Sequence, residues 1–265
     1  MPQPADLESL AIDIAREAGE LARRRRREGV SIAATKSAIA DIVTEADREV
    51  ENLIRERLSA ARPGDGFLGE ESGAEQGESG VTWVVDPIDG TVNYAYGIPS
   101  YAVSIAAVTG APVVGEWRAE AGVVFNPVSG ELFHAARGAG TWLDGERLAV
   151  SAEPAEAGAM LATGLGYDPA THEGDLARIA RIMPMARDIR RIGAASLDLA
   201  FVAAGRIDGY YERGLQAWDH AAGALLVTEA GGRIGGLDDI DGFGRRLIVA
   251  AGPGLFDELF RAARD

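Results

Sequence analysis

The stretch "WVVDPIDGTVNYAYG", Trp83 to Gly97, brings an apolar strand to two aspartates, Asp86 and Asp89, and then turns at Gly-Thr. A strand end followed by an Asp-Pro turn, a second Asp and a glycine is poor core material, because buried carboxylates need partners. The two acids are close in sequence and near a strand terminus. They need either a cation between them or opposite faces to point toward. A hard divalent ion resolves the conflict: magnesium, manganese and calcium take carboxylates, backbone carbonyls and water. Ile88, between the aspartates, offers a carbonyl oxygen. Gly90 and Thr91 then present backbone N–H groups at a helix start, where phosphate binds. A metal beside a phosphate cradle implies phosphoryl chemistry; the plain alternative is a strand capped by an Asp-rich turn.

The rest of the chain can house such a site. Its 265 residues, 47% hydrophobic, are enough for one large domain or two closely joined halves. No run approaches the roughly 18 apolar residues of a membrane span, and "MPQPADLESL" lacks the pattern of a secretory signal. A cytoplasmic location is the expectation. A net charge of -15 opposes nonspecific attraction to nucleic acid or anionic membranes. The absence of cysteine excludes disulfides, thiolate nucleophiles and zinc-thiolate sites, and three histidines leave nitrogen ligands scarce. The run Arg23 to Arg27 ends a periodic segment with Leu7, Leu10, Ala11, Ile14, Ala18 and Leu21 on one face, which reads as a solvated helix end. Among 26 basic residues the single lysine is Lys36.

Periodicity predicts a second helix from about Thr44 to Ala60, with "VSIAATKSAIADIVTEAD" before it as a hairpin or loop. "SGAEQGESG" reads as a polar loop. Strands are expected at Trp83, "AVSIAAVTG", "GVVFNP", "GELFHAARG" and "GTWLDG". The composition shifts at Ser151 to Gly158, which places a boundary between halves 1–150 and 151–265. Beyond it come a strand at "AMLATGLG", helices near His172–Ile182 and Ser196–Ala204, a strand at "IDGYYE", a helix opening at "WDHAAGALLVTEAGG", a strand at "RLIVAAG" and a final helix. The fold class is therefore mixed, α/β or α+β.

P-loop, dinucleotide, serine-elbow and zincin motifs are missing. "LDDIDGFG" fails calcium-loop spacing, because Ile240 and Phe243 fall at ligand positions. Two other acidic places accompany Asp86 and Asp89: "GEES" with Glu70, and Asp219 in the first turn of an apolar helix. Taken singly, Glu70 reads as a surface acid and Asp219 as a helix cap; Thr44 and Asp47 match a capping box. His220 reads as a packed or solvated neighbour of Asp219.

Together, "DIVTEAD", "GEES", "WVVDPIDGTVNYAYGIPSYAVSIA", "DGYYERGLQAWDHAAGALLVTEAGG" and the closing "LIVAAG" resemble the inositol monophosphatase family, lithium-sensitive, magnesium-dependent phosphatases that share a superfamily with fructose bisphosphatase. The resemblance covers nearly the whole chain. It implies a layered α-β-α-β-α sandwich, a homodimer, and a site between two halves holding two to three magnesium ions, with manganese as a substitute. It makes Glu70, Asp86, the Ile88 carbonyl, Asp89 and Asp219 metal ligands. Thr91 with Asp47 matches the couple that orients and deprotonates the attacking water, and Gly90 with Thr91 the phosphate-binding backbone. Glu212 and Ala195 match positions that meet the substrate's ring, and Lys36 lies on a mobile loop near the site. The implied reaction is hydrolysis of a small phosphate monoester, inositol 1-phosphate first, with histidinol phosphate or a sugar or nucleotide phosphate as alternatives. A partner-binding role at the transcription machinery is the alternative of another class. "TGLGYD" and the segment up to Met183 carry nothing assignable to a substrate.

Overall fold

Along the strand that carries Asp86, side chains alternate between two hydrophobic cores. Val81, Trp83 and Val85 pack into one and Val84 into the other, as the period of two in a pleated strand requires. This strand sits inside a sheet covered on both faces, in a computed structural model that describes residues 2–30, 32–35, 42–111 and 115–264.

The elements run α1 (Pro4–Glu28), β1 (Ile32–Thr35), β2 (Ile42–Thr44), α2 (Glu45–Ala61), β3 (Gly66–Gly69), β4 (Gly73–Glu75), β5 (Val81–Asp89), α3 (Thr91–Tyr96), β6 (Ala102–Gly110), β7 (Trp117–Phe125), β8 (Leu132–Ala136), β9 (Gly140–Leu143) and β10 (Glu146–Arg147). They continue as β11 (Ala159–Thr163), α4 (His172–Ile182), β12 (Ala186–Arg190), α5 (Ala195–Ala203), β13 (Gly209–Arg213), α6 (Ala217–Glu229), β14 (Arg233–Gly235), β15 (Leu247–Ala251) and α7 (Pro253–Ala263). Strands β3–β10 form an eight-stranded sheet in the order β10-β9-β8-β7-β6-β5-β3-β4, and β11–β15 a five-stranded sheet in the order β12-β11-β13-β15-β14.

Three cores stack these sheets into layers. One joins α1 and α2 to the outer face of the large sheet through Leu7, Ile14, Val50, Ile54, Trp83 and Ile105. The next places α5 and α6 between the sheets, against Val84 and Val124 on one side and Tyr210 and Ile248 on the other. The last joins the small sheet's far face to α7 through Leu161, Val249, Leu255 and Leu259. The result is an α-β-α-β-α sandwich, as expected from the sequence. Helices α5 and α6 are apolar almost all round because each meets a sheet on two sides.

Local chemistry explains the boundaries near the site. Helix α2 begins with a capping box in which Thr44 and Asp47 exchange side-chain and backbone hydrogen bonds. In the arginine run, Arg25 of α1 donates to Glu49 of α2 at 2.6 and 2.5 Å, and the half-buried Arg26 lies against Gly97. Sheet and helix approach closely where β7 crosses α6. A Cβ on Gly122 would lie 3.0 Å from the Ala222 carbonyl oxygen and 3.1 Å from its Cα. Gly122→Val should therefore lower stability by about 1–3 kcal/mol through overpacking, read as a drop in the urea midpoint; an unchanged midpoint would refute this close approach.

Candidate active site

In a regular strand, residues three apart point to opposite faces. Asp86 and Asp89 escape this because β5 is bulged: Asp86 pairs with Ser104 and Asp89 with Ala102, so three steps on β5 match two on β6. The extra residue re-aims the chain, and both carboxylates reach one cavity of about 420 Å³. The Ile88 N–H donates to Asp86 Oδ1 at 3.1 Å. Asp89 reaches across to the start of α5, where it accepts from the Ser196 N–H at 2.7 Å, Ser196 Oγ at 2.5 Å and the Ala195 N–H at 3.2 Å. It thereby caps a helix whose own preceding residue, Ala194, has no capping side chain.

The other acids arrive from separate elements. Glu70 follows β3, and its N–H donates to the Val85 carbonyl of β5 at 3.2 Å. Asp219 occupies the third position of α6 and accepts from the Gln216 N–H at 2.6 Å. It is a helix cap, as its position suggested, and it also lines the cavity. The carboxyls repel. Burial, then Glu70, Asp89 and Asp219, hold Asp86 well above the usual carboxylate range. Burial pushes Asp89 up to about 6 despite the hydrogen bonds of Ser196 and Ala195, and burial followed by Asp89 raises Asp219 well above its ordinary value.

Thr91 stands at the cavity with Asp47 behind it. Gly90 before it is left-handed (φ 89°), and a Cβ there would lie 3.0 Å from the Ser100 carbonyl oxygen and 3.1 Å from that of Gly193. Only glycine suits this turn. Thr91 Oγ1 donates toward Asp47 Oδ1 at 3.2 Å and the Ile88 carbonyl at 3.1 Å. The other Asp47 oxygen accepts from the Thr44 N–H at 2.8 Å and from its hydroxyl. The capping box and the contact with Thr91 thus coexist in one carboxylate. Burial pushes Asp47 up to about 7, against the Thr44 hydrogen bonds that lower it.

The small-sheet side supplies Ala195 and Glu212. Glu212 keeps some surface open to the cavity, yet protein encloses its carboxyl, and burial pushes it up to about 7 while the Tyr210 hydroxyl, donating at 2.5 Å, lowers it. Every residue assigned from the sequence to metal, phosphate or substrate lines the cavity except Lys36, which lies outside the described residues; Asp47 sits one contact behind. His220 is buried, lies 5.8 Å from the Trp117 ring in a stacked arrangement, and is lowered to about 4 by burial, the behaviour of a packing residue.

Sequence reasoning missed the far wall. Gly164, Gly166 and Tyr167 of the unassigned "TGLGYD" segment line it with Arg191 and Arg245. The segment is anchored: the Gly166 N–H donates to Asp175 at 3.0 Å, and Arg245 grips the same carboxylate with two hydrogen bonds of 2.9 Å. No spacing in the sequence announces this pairing of α4 with the residues before β15.

The donors assigned to metal at the acidic end of the cavity are oxygens only: the carboxylates of Glu70, Asp86, Asp89 and Asp219 and the Ile88 carbonyl, in a chain without cysteine. That is the chemistry of a hard divalent cation. Among the described residues no three acids are already drawn into a metal cage, which accords with the repulsion that raises them. A cation fits because it removes that repulsion.

The family model "Inositol monophosphatase family" matches residues 3–265. The chain belongs to this family. The inositol-1-monophosphatase SuhB of Mycobacterium tuberculosis is 44% identical over 278 residues, covering 98% of this chain and 94% of that protein. A Haemophilus influenzae relative named Nus factor SuhB is 39% identical, covering 92% of this chain and 90% of its own. The extragenic suppressor protein suhB of Bartonella henselae superposes with a TM-score of 0.85 at 39% identity, over 97% of this chain and 98% of that one. As a member of this family the chain is a phosphatase. Among the described residues no helix is long and apolar enough to cross a membrane.

Proposed function

We propose that this protein hydrolyses a small phosphate monoester, inositol 1-phosphate foremost, with magnesium as cofactor. The observation that carries the reading is the convergence of Glu70 after β3, Asp86 and Asp89 of β5, and Asp219 of α6 on one cavity beside the Asp47–Thr91 pair. These carboxylates and the Ile88 carbonyl are the groups that would hold two to three magnesium ions, or manganese in their place. When bound, such ions supply positive charge that neutralises phosphate and makes water a better nucleophile at neutral pH.

The chain's own residues do the rest. Gly90 and Thr91 offer backbone to the phosphate where the left-handed turn leaves room. Thr91 Oγ1 orients the attacking water and passes its proton toward Asp47, a carboxylate pushed to about 7 and so matched to proton transfer near neutral pH. Glu212 accepts hydrogen bonds from ring hydroxyls, and Ala195 leaves space beside them. Lys36 completes the set from outside the described residues. Halves 1–150 and 151–265 meet at this cavity. A cytoplasmic homodimer belongs to the same reading and rests on family membership. The Nus factor name of one relative points to a partner-binding role for that protein; the complete acid set here favours an enzyme.

Phosphate release from inositol 1-phosphate and histidinol phosphate, by wild type and Glu212→Gln, tests the substrate. Wild type should favour inositol 1-phosphate, and Glu212→Gln should erode that preference. A tenfold preference for histidinol phosphate, about 1.4 kcal/mol of discrimination, would reverse the assignment.

The metal has its own test in stability. Asp47 and Asp89, ordinarily near 3.8, are raised to about 7 and about 6. A raised carboxyl binds its proton more tightly in the folded state, so its stabilising contribution is full below the ordinary value and lost as pH rises through the raised one. The metal-free protein should therefore lose Tm between about pH 4 and 7. Magnesium competes with those protons, so it should raise Tm more at about pH 7.5 than at about pH 5. An equal shift at both would remove the carboxylate cluster as its binding place.

A further inference from the structure

Glu70 is carried by a tip that the large sheet alone holds loosely. Gly69 of β3 pairs with Gly73 of β4, so Glu70, Glu71 and Ser72 form the three-residue tip of a hairpin, and β4 is only three residues long at the outer edge of the sheet. Backbone N–H groups at such a tip ordinarily face water and open readily. Here they are held. The Glu70 N–H donates to the Val85 carbonyl at 3.2 Å, and the next two N–H groups converge on one carboxylate of α2: the Glu71 N–H donates to Glu51 Oε2 at 2.8 Å and the Ser72 N–H to Glu51 Oε1 at 2.7 Å. Glu51 is 2% exposed and is not part of the cavity lining. A Cβ on Gly69 would lie 2.5 Å from Glu51 Oε2 and 2.6 Å from its Cδ, so glycine at the end of β3 leaves the carboxylate room to reach the tip. Glu51 follows Asp47 by about one helical turn on the buried face of α2. One carboxylate of this helix holds Thr91 and the next holds the turn of Glu70.

We propose that Glu51 is a positioning residue for the metal site: by clamping the hairpin tip it holds Glu70 at the acidic end of the cavity and so raises the affinity for magnesium. The inference rests on the magnesium reading and adds to it a residue, outside the ligand set, that sets how tightly the ion is held. A ligand that must be ordered as the ion binds gives up part of its binding energy, and a ligand already in place does not. The clamp needs a carboxylate at this length. Each carboxylate oxygen accepts one N–H, and both bonds are charge-assisted. Gln keeps the length but has one accepting oxygen, and its NH2 group would face the other backbone N–H. Asp keeps the charge and both oxygens but is one methylene short of the tip.

The test titrates magnesium chloride into wild type, Glu51→Gln and Glu51→Asp by calorimetry, without substrate. Both variants should bind magnesium about 10- to 100-fold more weakly than wild type, the usual worth of a group that orients a metal ligand, and the magnesium-induced rise in Tm should shrink in both. In phosphate release, each should need about tenfold more magnesium or above for half-maximal rate, while kcat in saturating magnesium stays within about threefold of wild type. A residue that only supported the fold would lower kcat at every magnesium concentration, and that result would refute the proposal. Weak binding by Glu51→Gln with wild-type affinity in Glu51→Asp would trace the effect to charge and refute the clamp. Amide hydrogen exchange needs no variant: the Glu71 and Ser72 N–H groups of wild type should be protected in the absence of metal, and free exchange of both would refute the clamp as well. Magnesium binding by wild type that both variants match overturns this inference alone. No magnesium binding by wild type overturns the magnesium reading together with it.

Discussion

Asp86→Asn should lower phosphate release by about 10³-fold or more in saturating magnesium while leaving the metal-free protein at least as stable as wild type. Asn is isosteric and keeps the oxygen that accepts from the Ile88 N–H, so bulge and turn are preserved. What is lost is one negative charge in a place where burial and three neighbouring acids hold Asp86 well above its usual range. Removing it relieves repulsion when no cation is present and weakens the site when one is. A metal's charge stabilisation is worth several kcal/mol of barrier, and about 4 kcal/mol corresponds to about 10³-fold in rate. The two signs are opposed, which separates a ligand from a structural residue: a core acid would lose stability together with activity. Asp89→Asn is less clean, because Asp89 also caps α5. Phosphate release and thermal melts with and without chelator read both effects, and full turnover of Asp86→Asn in chelated buffer would sink the assignment.

The sequence was legible where chemistry is local. A strand ending in Asp-Pro-Ile-Asp-Gly-Thr states its own turn, and T-x-x-D before an apolar run states a helix start; both appear as read. The layer order was carried by the family resemblance, since α5 and α6 are apolar on nearly every face and give no amphipathic signal. "SGAEQGESG" hides a short strand, Gly73–Glu75, on the edge of the large sheet, and Ala186–Arg190 forms an edge strand whose exposed polar residues carry no alternation. Edge strands need burial on one face at most, so periodicity cannot find them.

Long-range pairing was also hidden. Nothing in "RRIGAASLDL" says that its Ser196 N–H will meet Asp89, 107 residues away, or that the Arg191 charge will act on Glu212 in the same cavity. Nor does the sequence reveal that Asp198 is buried with an unpartnered oxygen behind that wall. These follow from the stacking of two sheets on a shared pair of helices, a property of the whole fold. Capping box and catalytic pair looked like rival readings of Asp47. They are compatible because a carboxylate has two oxygens: one faces Thr44 and the other Thr91.

That division sets the second large effect. Thr91→Ala should lower kcat by about 10²–10⁴-fold with KM changed far less, because the hydroxyl lost is the link between the attacking water and Asp47. The backbone N–H at position 91 remains, so phosphate keeps its cradle, and Asp47 keeps its hydrogen bonds from Thr44 at 2.8 Å and from the Thr44 hydroxyl, so α2 keeps its cap. Stability should therefore move little. Thr91→Ser, which retains the hydroxyl, should recover most of the rate. The pH profile adds a readout that packing alone does not move. With Asp47 raised to about 7 and charged only above that value, wild-type kcat should fall as pH drops through the neutral range, and the Thr91→Ala variant, cut off from that base, should lose this limb. An unchanged kcat in Thr91→Ala would leave Asp47 as a helix cap alone and move the base elsewhere in the cavity.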